Sequence, residues 1–579
     1  MKHIFIAAAL LALSGCTTLP AGTAQPVEVR IIGFNDFHGH LDPPKAATET
    51  VNAAGEKVRV PSGGVAYLAS AVDSLKAGQK NTVVVAAGDL IGASPLSSSL
   101  FLDEPSIMAM NMVGLEFNAV GNHEFDRGTE ELLRIQSGGC EKYTAAEPCR
   151  VDRPFIGAKF RQLAANTIKA DGQTLFAPYA IKTFGAGRNS VSVGFIGMTL
   201  KGTANLVSAG RIKGISFADE ADTANALVPK LKAAGADVIV VLIHEGVSNP
   251  GDINNPKCDG VAGSLTAILD RLDPAVDVVI SGHTHQAYVC DYGQLNKDRP
   301  ILLTSAGSRG QVVTGIDLKI DPINSKLLSK SARNIVVQSE TFIGSRGTVP
   351  LVADMPTFAP RADLAILVAR YRDAAKADET RVVGSLAGAA TREKSRSGES
   401  LMGNLIADAQ LAATQSAENG GAQIAFMNPD GIRAEIVPGT DGKVTFGSVF
   451  SAQPFGNQLI VKTLTGGQLK EVLEQQFNNP SWIRILSPSI GFRFGYDLSK
   501  PIGQRIIFAT LNGTPIDDAK SYRVAVSDFL SNGGDLFSGF TVGTNATVGP
   551  TDLEAFVAFV GRPGLTALPS LDRIENLTP

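Results

Sequence analysis

The sequence of 579 residues contains little histidine, tryptophan or cysteine, with seven, one and five residues respectively. Its formal net charge is −4, only 19% of its residues are charged, and it has no long basic run. A protein that binds a nucleic acid polymer usually presents a strongly basic surface, so we expect no such partner. After the first residues, no stretch is apolar over the length of a membrane span. The length is enough for about two to four domains with sizeable cores.

The chain begins with MKHIFIAAALLALSGC, which has the features of an export signal. Lys2 supplies a positive charge, and the apolar run Ile4–Leu13 is too short to form a stable membrane span. The letters LSGC, ending at Cys16, resemble a bacterial lipoprotein signal in which that cysteine is lipidated. We therefore predict a signal over residues 1–16, a tether over 17–26, and a periplasmic or surface protein anchored to the outer membrane. The alternative is an ordinary secretory signal whose cysteine is incidental.

The other four cysteines contain no CxxC spacing, which argues against a zinc site built from thiolates. An even number of cysteines in an exported chain favours disulfides. Four cysteines allow three pairings, and closeness in the sequence favours Cys140–Cys149 and Cys258–Cys290.

The histidines are not scattered along the chain. One lies in the predicted signal, and the other six lie in the segments NDFHGH (35–40), GNHE (121–124), IHEG (243–246) and SGHTHQ (281–286). Such grouping favours metal or acid–base chemistry over packing.

Apolar runs rich in valine and isoleucine alternate with helical patterns in the first half. The runs are Val27–Phe34, Thr82–Ala87, Asn118–Val120, Asp237–Ile243 and Val276–Ile280. The helical patterns are Gly64–Lys76, Ser106–Val113 and Asp219–Ala234. This alternation predicts an α/β fold with a largely parallel sheet. A polar cluster follows each run, and sites in such sheets form beyond the carboxyl ends of the strands, so we expect the clusters to meet.

Aspartate, histidine and asparagine without thiolates suit a divalent ion such as Zn²⁺ or Mn²⁺. The clusters offer more ligands than one ion needs, whereas two ions about 3.5–4 Å apart with a shared carboxylate would use them all. The alternative is that they are ordinary polar residues at strand ends. A serine hydrolase is disfavoured because the sequence has no G-x-S-x-G.

The polar clusters, in their order along the chain, resemble those of calcineurin-like metallophosphoesterases. GNHEFD and the second half of the chain narrow the resemblance to the bacterial 5′-nucleotidase and UDP-sugar hydrolase family. The resemblance implies that one metal ion is held by Asp36, His38 and His285, that another is held by Asn122, His244 and His283, and that Asp89 bridges them. It also implies that His123 faces the substrate phosphate and is oriented by Asp126. Some relatives carry glutamine where this chain has His285.

The resemblance implies a metallophosphoesterase sheet sandwich flanked by helices over residues 27–345. A linker with a helix would follow over 346–379, where Arg361–Lys376 has a helical pattern. A smaller α/β substrate-binding domain would occupy residues 380–579.

The second half has neither histidine nor cysteine from about residue 380, so its chemistry must come from other side chains. Arginine can bind phosphate, and phenylalanine can stack on a base. Taken singly, each is more simply a surface or core residue. The family resemblance implies that the nucleotide is bound by Arg392, Arg396, Asn428, Arg433, Phe455, Asn457, Phe529 and Asp535. The usual NGGGIR is NPDGIR here, which adds Pro429 and Asp430.

The sequence therefore predicts an exported phosphohydrolase with two divalent metal ions, zinc, manganese or cobalt. Its substrates would be nucleoside 5′-monophosphates and related nucleotides, and nucleotide sugars stay open. The alternatives are a phosphodiesterase of 2′,3′-cyclic nucleotides with 3′-nucleotidase activity, a relative of thiosulfohydrolases, and a surface lipoprotein that binds nucleotides without catalysis. The oligomeric state stays open.

Overall fold

The computed structural model describes residues 25–52, 54–249, 251–344, 347–479 and 483–579. The predicted signal and almost all of the predicted tether lie outside the described residues. Within the described ranges, no helix is long and apolar enough to cross a membrane.

The first domain is built from strands and helices in alternation. Its strands are β1 (Val27–Phe34), β2 (Ala47–Val51), β3 (Lys57–Pro61), β4 (Thr82–Ala86), β5 (Phe117–Ala119), β6 (Arg161–Leu163), β7 (Thr167–Lys169), β8 (Tyr179–Phe184), β9 (Val191–Met198), β10 (Ile215–Phe217), β11 (Val238–Ile243), β12 (Val278–Ser281), β13 (Ala287–Asp291), β14 (Leu302–Ala306), β15 (Val312–Asp321), β16 (Lys326–Val336), β17 (Phe342–Gly344) and β18 (Gly347–Val349). Its helices are α1 (Val65–Lys76), α2 (Leu96–Ser99), α3 (Glu104–Val113), α4 (Thr129–Ser137), α5 (Glu220–Ala233) and α6 (Ser264–Arg271).

Two six-stranded sheets form the centre of this domain, in the orders β16-β15-β1-β4-β5-β6 and β13-β14-β12-β11-β9-β8. The inner neighbours β1, β4, β5 and β6 are parallel, as are β9, β11, β12 and β14. The outer pairs are antiparallel. The prediction of one largely parallel sheet is thus corrected to two mixed sheets. Apolar periodicity identifies buried strands but does not show which strands pair.

Both faces of the central strands are buried, which explains their continuous apolar sequences. In β4, the side chains of Val83 and Val85 lie in the core between the sheets, and that of Val84 faces the helices. In β11, Val240 lies between the sheets and Val241 packs against α5 and α6. The layers are therefore helix, sheet, sheet and helix, which confirms the predicted sandwich.

A long helix, α7 (Ala362–Thr380), connects the two domains. Its buried side chains, among them Leu364 and Tyr371, join the helix-covered core of the first sheet. The hydroxyl of Tyr371 donates a hydrogen bond to Asp152, 2.7 Å away. The connecting helix is thus packed on the first domain, and it extends four residues beyond the predicted Lys376.

The second domain is a smaller α/β unit, as predicted. Its strands are β19 (Val382–Ser385), β20 (Ile424–Met427), β21 (Lys443–Thr445), β22 (Gln458–Thr465), β23 (Ser487–Pro488), β24 (Phe492–Tyr496), β25 (Ile506–Leu511), β26 (Thr514–Pro515), β27 (Ser521–Ser527), β28 (Thr544–Thr551) and β29 (Ile574–Asn576). Its helices are α8 (Leu401–Thr414), α9 (Phe446–Ala452), α10 (Gly466–Gln475), α11 (Asp528–Ser531) and α12 (Asp552–Val560). The larger sheets have the orders β23-β20-β27-β22-β28 and β26-β25-β24-β29.

Two disulfides join Cys140 to Cys149 and Cys258 to Cys290, which confirms the pairing favoured by sequence proximity. The second bridge ties β13 to the loop that follows β11. That loop and the β12–β13 connection both border the histidine clusters.

A buried ion pair in the second domain offers a test of this packing. The guanidinium of Arg573 contacts both carboxylate oxygens of Asp408 at 2.7 and 2.8 Å, and its side chain is only 6% exposed. Asp408→Ala should lower the free energy of unfolding of this domain by about 3–5 kcal/mol, because it leaves a buried charge unpaired. The pair Arg493–Glu575 is exposed on both sides, so Glu575→Ala should cost less than about 1 kcal/mol. Equal losses in denaturant unfolding would contradict this assignment.

Candidate metal centre and active site

Five loops meet at one edge of the sandwich, and each follows a buried strand. Three leave β1, β4 and β5 of the first sheet, and two leave β11 and β12 of the second. They carry Asp36 and His38, Asp89, Asn122 and His123, His244, and His283 and His285. Because parallel strands end at the same edge, the loops converge there, as the sequence predicts.

Five of these side chains are attached to backbone in the left-handed region. The φ angles of Asp36, His38, Asp89, His283 and His285 are 50°, 46°, 52°, 70° and 56°. Such angles are uncommon outside glycine and cost on the order of 1–3 kcal/mol each. The surrounding structure holds them; for example, the backbone N–H of His283 donates to both carboxylate oxygens of Asp36, at 3.1 and 3.0 Å. The sharp turns direct the side chains toward a common point.

Asp36, His38 and His285 form one candidate metal site. Nε2 of His38 and Nε2 of His285 are 3.1 Å apart, and the latter is 3.3 Å from Oδ1 of Asp36. Nδ1 of His38 is 2.9 Å from the carbonyl oxygen of Gly92, to which it can only donate, so Nε2 carries the lone pair. A lone pair aimed at a second ring nitrogen and a carboxylate suits a bound cation.

Asp89, His244 and His283 form a second candidate site, with Asn122 beside it. Nδ1 of His244 donates to the carbonyl oxygen of Ala87 at 2.8 Å, which directs Nε2 toward Asp89. This buried Nε2 lies 2.9 Å from Oδ2 of Asp89 but has no hydrogen-bond partner of acceptable geometry among the described residues. Nδ1 of His283 is 3.1 Å from Oδ1 of Asn122. The orphaned nitrogen and the donor set fit a divalent ion.

Asp89 lies between the two groups. Its Oδ2 is 2.9 Å from Nε2 of His244 and 3.7 Å from Nε2 of His38. Its Oδ1 accepts a hydrogen bond from the backbone N–H of His123 at 2.9 Å. With a side chain only 1% exposed, this carboxylate is in reach of both candidate sites.

The electrostatics keep His38 and His283 neutral and favour a positive charge beside the buried carboxylate of Asp89. Burial lowers the pKa of His283 to about 3 and that of His38 well below its usual value. Burial would raise the pKa of Asp89, but His244 and His123 hold it well below its ordinary range. Burial would also lower the pKa of His244, yet the charge of Asp89 raises it to about 10. The site thus calls for a positive charge beside Asp89.

His123 and Asp126 form a pair at the rim of the centre. Nδ1 of His123 lies 2.7 Å from Oδ2 of Asp126. Burial lowers the pKa of His123, but the carboxylates of Asp126 and Asp89 outweigh it and raise the pKa above the usual value. The ring is stacked on Phe455 of the second domain, with centroids 5.7 Å apart and planes 13° from parallel.

A cleft of about 1130 Å³ lies between the two domains, with His123, His283 and His285 on one wall. Seven of the eight predicted nucleotide-binding residues line it: Arg392, Asn428, Arg433, Phe455, Asn457, Phe529 and Asp535. The guanidinium of Arg433 lies over the Phe455 ring, 5.9 Å from its centroid. Asn428 donates from Nδ2 to Oδ2 of Asp535 at 2.7 Å.

Comparison with known proteins matches both domains. Residues 29–287 match the model of calcineurin-like phosphoesterases, and residues 382–542 match that of the 5′-nucleotidase C-terminal domain. The cell wall protein Lmo0130 of Listeria monocytogenes is 30% identical over 579 residues, spanning 94% of this chain and 68% of that protein. The chain belongs to the calcineurin-like phosphoesterase family. Members of this family use divalent metal ions.

Two further comparisons describe how far the similarity extends. The endonuclease YhcR of Bacillus subtilis is 30% identical over 565 residues, which span 96% of this chain but only 42% of that protein. The crystal structure of a 5′-nucleotidase precursor from Thermus thermophilus superposes with a TM-score of 0.72 and 26% identity, covering 95% of this chain and 99% of that one. The phosphoesterase shares its whole two-domain architecture with that structure.

Arg396 is the one predicted nucleotide-binding residue that the structure does not bring to the cleft. It lies in a tight turn closed by the hydrogen bond from the N–H of Ser395 to the carbonyl of Glu399, 2.8 Å long. Its side chain is exposed, and its own carbonyl accepts from Asn576 at 3.3 Å. The turn directs Arg396 to solvent, so its predicted role is not supported by its position.

The structure adds residues to which the sequence analysis assigns no role. Asn35 donates to Oδ2 of Asp36 at 2.6 Å. The carboxylate of Glu124 accepts from the backbone N–H groups of Asp89, Leu90 and Gly121. Asn35 lies in the motif NDFHGH and Glu124 in the motif GNHE. The motifs could therefore have indicated that these residues belong to the site, although the sequence analysis assigned them no role.

Arg309 is a further residue that the sequence did not single out. Its backbone N–H donates to the carbonyl of Asp36 at 2.7 Å. Burial, followed by the like charges of Arg433 and Arg392, lowers the pKa of Arg309 to about 10. Three guanidinium groups therefore repel one another near the candidate metal centre. No motif surrounds Arg309, so the sequence carried no signal for it.

The roles of two neighbouring histidines can be separated by metal analysis. Because His283 contributes to a candidate site, His283→Ala should lower the metal content of the purified phosphoesterase. His123 is close enough to His38 and Asp89 to be a ligand, but Asp126 occupies its Nδ1. We therefore expect His123→Ala to keep the metal content of the unchanged protein. Elemental analysis of both variants measures the metal content. Loss of metal from the His123 variant would show that this residue is a ligand.

Proposed function

We propose that the protein is an exported two-metal phosphohydrolase that releases phosphate from nucleoside 5′-monophosphates. The observation that carries this proposal is the position of Asp89 between two groups of metal-binding side chains, at the floor of a cleft lined by aromatic rings and arginines. The shared position of Asp89 suits phosphoryl chemistry, and the aromatic rings and arginines of the cleft suit a nucleotide.

In this proposal Asp36, His38 and His285 would hold one divalent ion. Asn122, His244 and His283 would hold the other, and Asp89 would contribute to both. Ions of zinc, manganese or cobalt bound there would supply Lewis acidity and an activated water for attack on phosphorus. The orienting contacts come from the chain itself: the carbonyls of Gly92 and Ala87 fix the tautomers of His38 and His244.

His123 would act on the substrate phosphate. Asp126 accepts from Nδ1, which leaves Nε2 of the same ring to donate a hydrogen bond to a phosphoryl oxygen. The Phe455 ring is stacked on one face of this imidazole, and His123 lines the cleft.

The second domain would bind the nucleoside. Phe455 and Phe529 line the cleft and offer faces for a base, and stacking of this kind contributes about 1–3 kcal/mol per base. Arg392 and Arg433, together with Arg309 of the first domain, gather positive charge that suits a phosphate. Asp535, held by Asn428, fixes the neighbouring loop.

The comparisons support a nucleotide substrate, because the chain carries a 5′-nucleotidase C-terminal domain and resembles the Thermus thermophilus 5′-nucleotidase precursor over nearly its full length. One relative is named an endonuclease, but this chain spans 42% of it. The net charge of −4 also disfavours a nucleic acid polymer.

Export is part of the proposal. The two disulfides are typical of oxidising compartments. Anchoring to the outer membrane through a lipid on Cys16 rests on the signal sequence alone.

A substrate panel tests the proposal. The hydrolysis products of AMP, 2′,3′-cyclic AMP, UDP-glucose and phenyl phosphate should be separated and quantified, together with any released phosphate, on metal-stripped protein and after addition of Mn²⁺, Zn²⁺ or Co²⁺. We expect AMP to be cleaved only with metal, and phenyl phosphate, which has no base to stack, to be cleaved poorly. Asp89→Asn should nearly abolish turnover in every case, because it removes the shared charge.

The control is Asp441→Asn, which removes an exposed carboxylate paired with Lys443 outside the cleft and should leave the rates unchanged. Full activity of metal-free protein would refute the two-metal proposal. Cleavage of the cyclic nucleotide or UDP-glucose but not AMP would replace the proposed substrate.

A further inference from the structure

Asp430 brings a carboxylate to the wall of the cleft. It lies in the short 3₁₀ turn Pro429–Gly431 that follows β20, in the sequence NPDGIR. Asp430 lines the cleft together with Phe455 and Phe529. Its side chain is 39% exposed, so the carboxylate is not enclosed by protein.

Only part of this carboxylate is used within the protein. Nε of Arg484 donates to its Oδ2 at 2.7 Å. In the described part of the chain, no donor is in hydrogen-bond reach of Oδ1. Because a carboxylate only accepts hydrogen bonds, the free oxygen needs a donor from water or from a ligand.

The carboxylates around Arg484 offer more hydrogen-bond acceptors than this one guanidinium can satisfy. The same guanidinium faces a second carboxylate, Asp535, at 3.9 Å. Asp535 accepts from Asn428 at 2.7 Å, and burial followed by the charge of Asp430 raises its pKa to about 6. Two carboxylates therefore share one guanidinium. Of the two, Asp430 is the exposed one, at the surface where a base or ribose would lie.

We propose that Oδ1 of Asp430 accepts a hydrogen bond from a donor on the nucleoside and thereby selects among nucleotides. The donor is an exocyclic amino group of the base or a ribose hydroxyl. This inference rests on the proposed nucleotidase function and adds the feature of the substrate that the cleft distinguishes. It assigns a role to the acidic residue of the sequence NPDGIR.

The physical basis of the selection is the mismatch that a wrong substrate creates. An amino group on the base satisfies Oδ1, whereas a carbonyl at the same position places two acceptors against each other. Sites that hydrogen-bond a substrate group discriminate strongly against analogues that lack it, because the protein group is left unpaired. For a partly exposed carboxylate, which water can also reach, we expect about tenfold discrimination in kcat/KM.

Asp430→Asn is the sharpest test, because it can convert the acceptor to a donor without losing the internal contact. The carbonyl oxygen of asparagine can accept from Nε of Arg484, and the amide NH₂ then faces the cleft. The substrates are AMP and IMP, which differ at the base amino group, and 2′-deoxy-AMP, which lacks a ribose hydroxyl. Asp441→Asn is the matched control, with the same substitution at a carboxylate outside the cleft.

If the donor is the amino group, the unchanged protein should prefer AMP over IMP about tenfold, and Asp430→Asn should reverse or abolish that preference. If it is the ribose hydroxyl, the ratio of AMP to 2′-deoxy-AMP should fall toward one in the variant, with the AMP to IMP ratio unchanged. The control should move neither ratio. If all three nucleotides are cleaved and neither ratio moves in Asp430→Asn, the inference is wrong although the nucleotidase proposal stands. If none is cleaved by the unchanged protein, both are wrong.

Discussion

The buried carboxylate of Asp89 is the feature on which the rest of the site depends. It lies at the end of a central strand, is almost inaccessible to water, and has the Nε2 atoms of His244 and His38 within 2.9 and 3.7 Å. A buried charge is costly unless it is paired. Asp36, completely buried nearby, adds a second charge. Cations held between these groups and the histidines would compensate both.

The fold provides this arrangement through conformational strain at the loops. Left-handed backbone at five of the proposed ligand positions turns those side chains sharply from their strands toward the shared edge. Rigid sheets buried on both faces keep the loops in register. The second domain approaches the same edge, where Phe455 stacks on His123, so the chemistry and the proposed nucleoside site share one cleft.

The sequence predicted the α/β class, the disulfide pairing and the convergence of the histidine segments, because each follows from a local pattern. Other features depend on contacts between distant residues. Strand pairing, which makes two mixed sheets, is not encoded in apolar periodicity. Arg396 shares its motif with Arg392, but a turn directs it to solvent. The lowered pKa of Arg309 depends in part on Arg433 and Arg392, which are distant in the chain. No sequence motif around Arg309 indicates this arrangement.

The central proposal is that Asp89 is shared by two metal ions. Anomalous diffraction from crystals grown with Mn²⁺ or Zn²⁺, collected on both sides of the metal absorption edge, tests it most directly. The account predicts two peaks about 3.5–4 Å apart, one on each side of the Asp89 carboxylate. One peak beside His38, His285 and Asp36 would belong to the first ion, and the other beside His244, His283 and Asn122 to the second. A single peak, or peaks that do not border Asp89, would contradict the account.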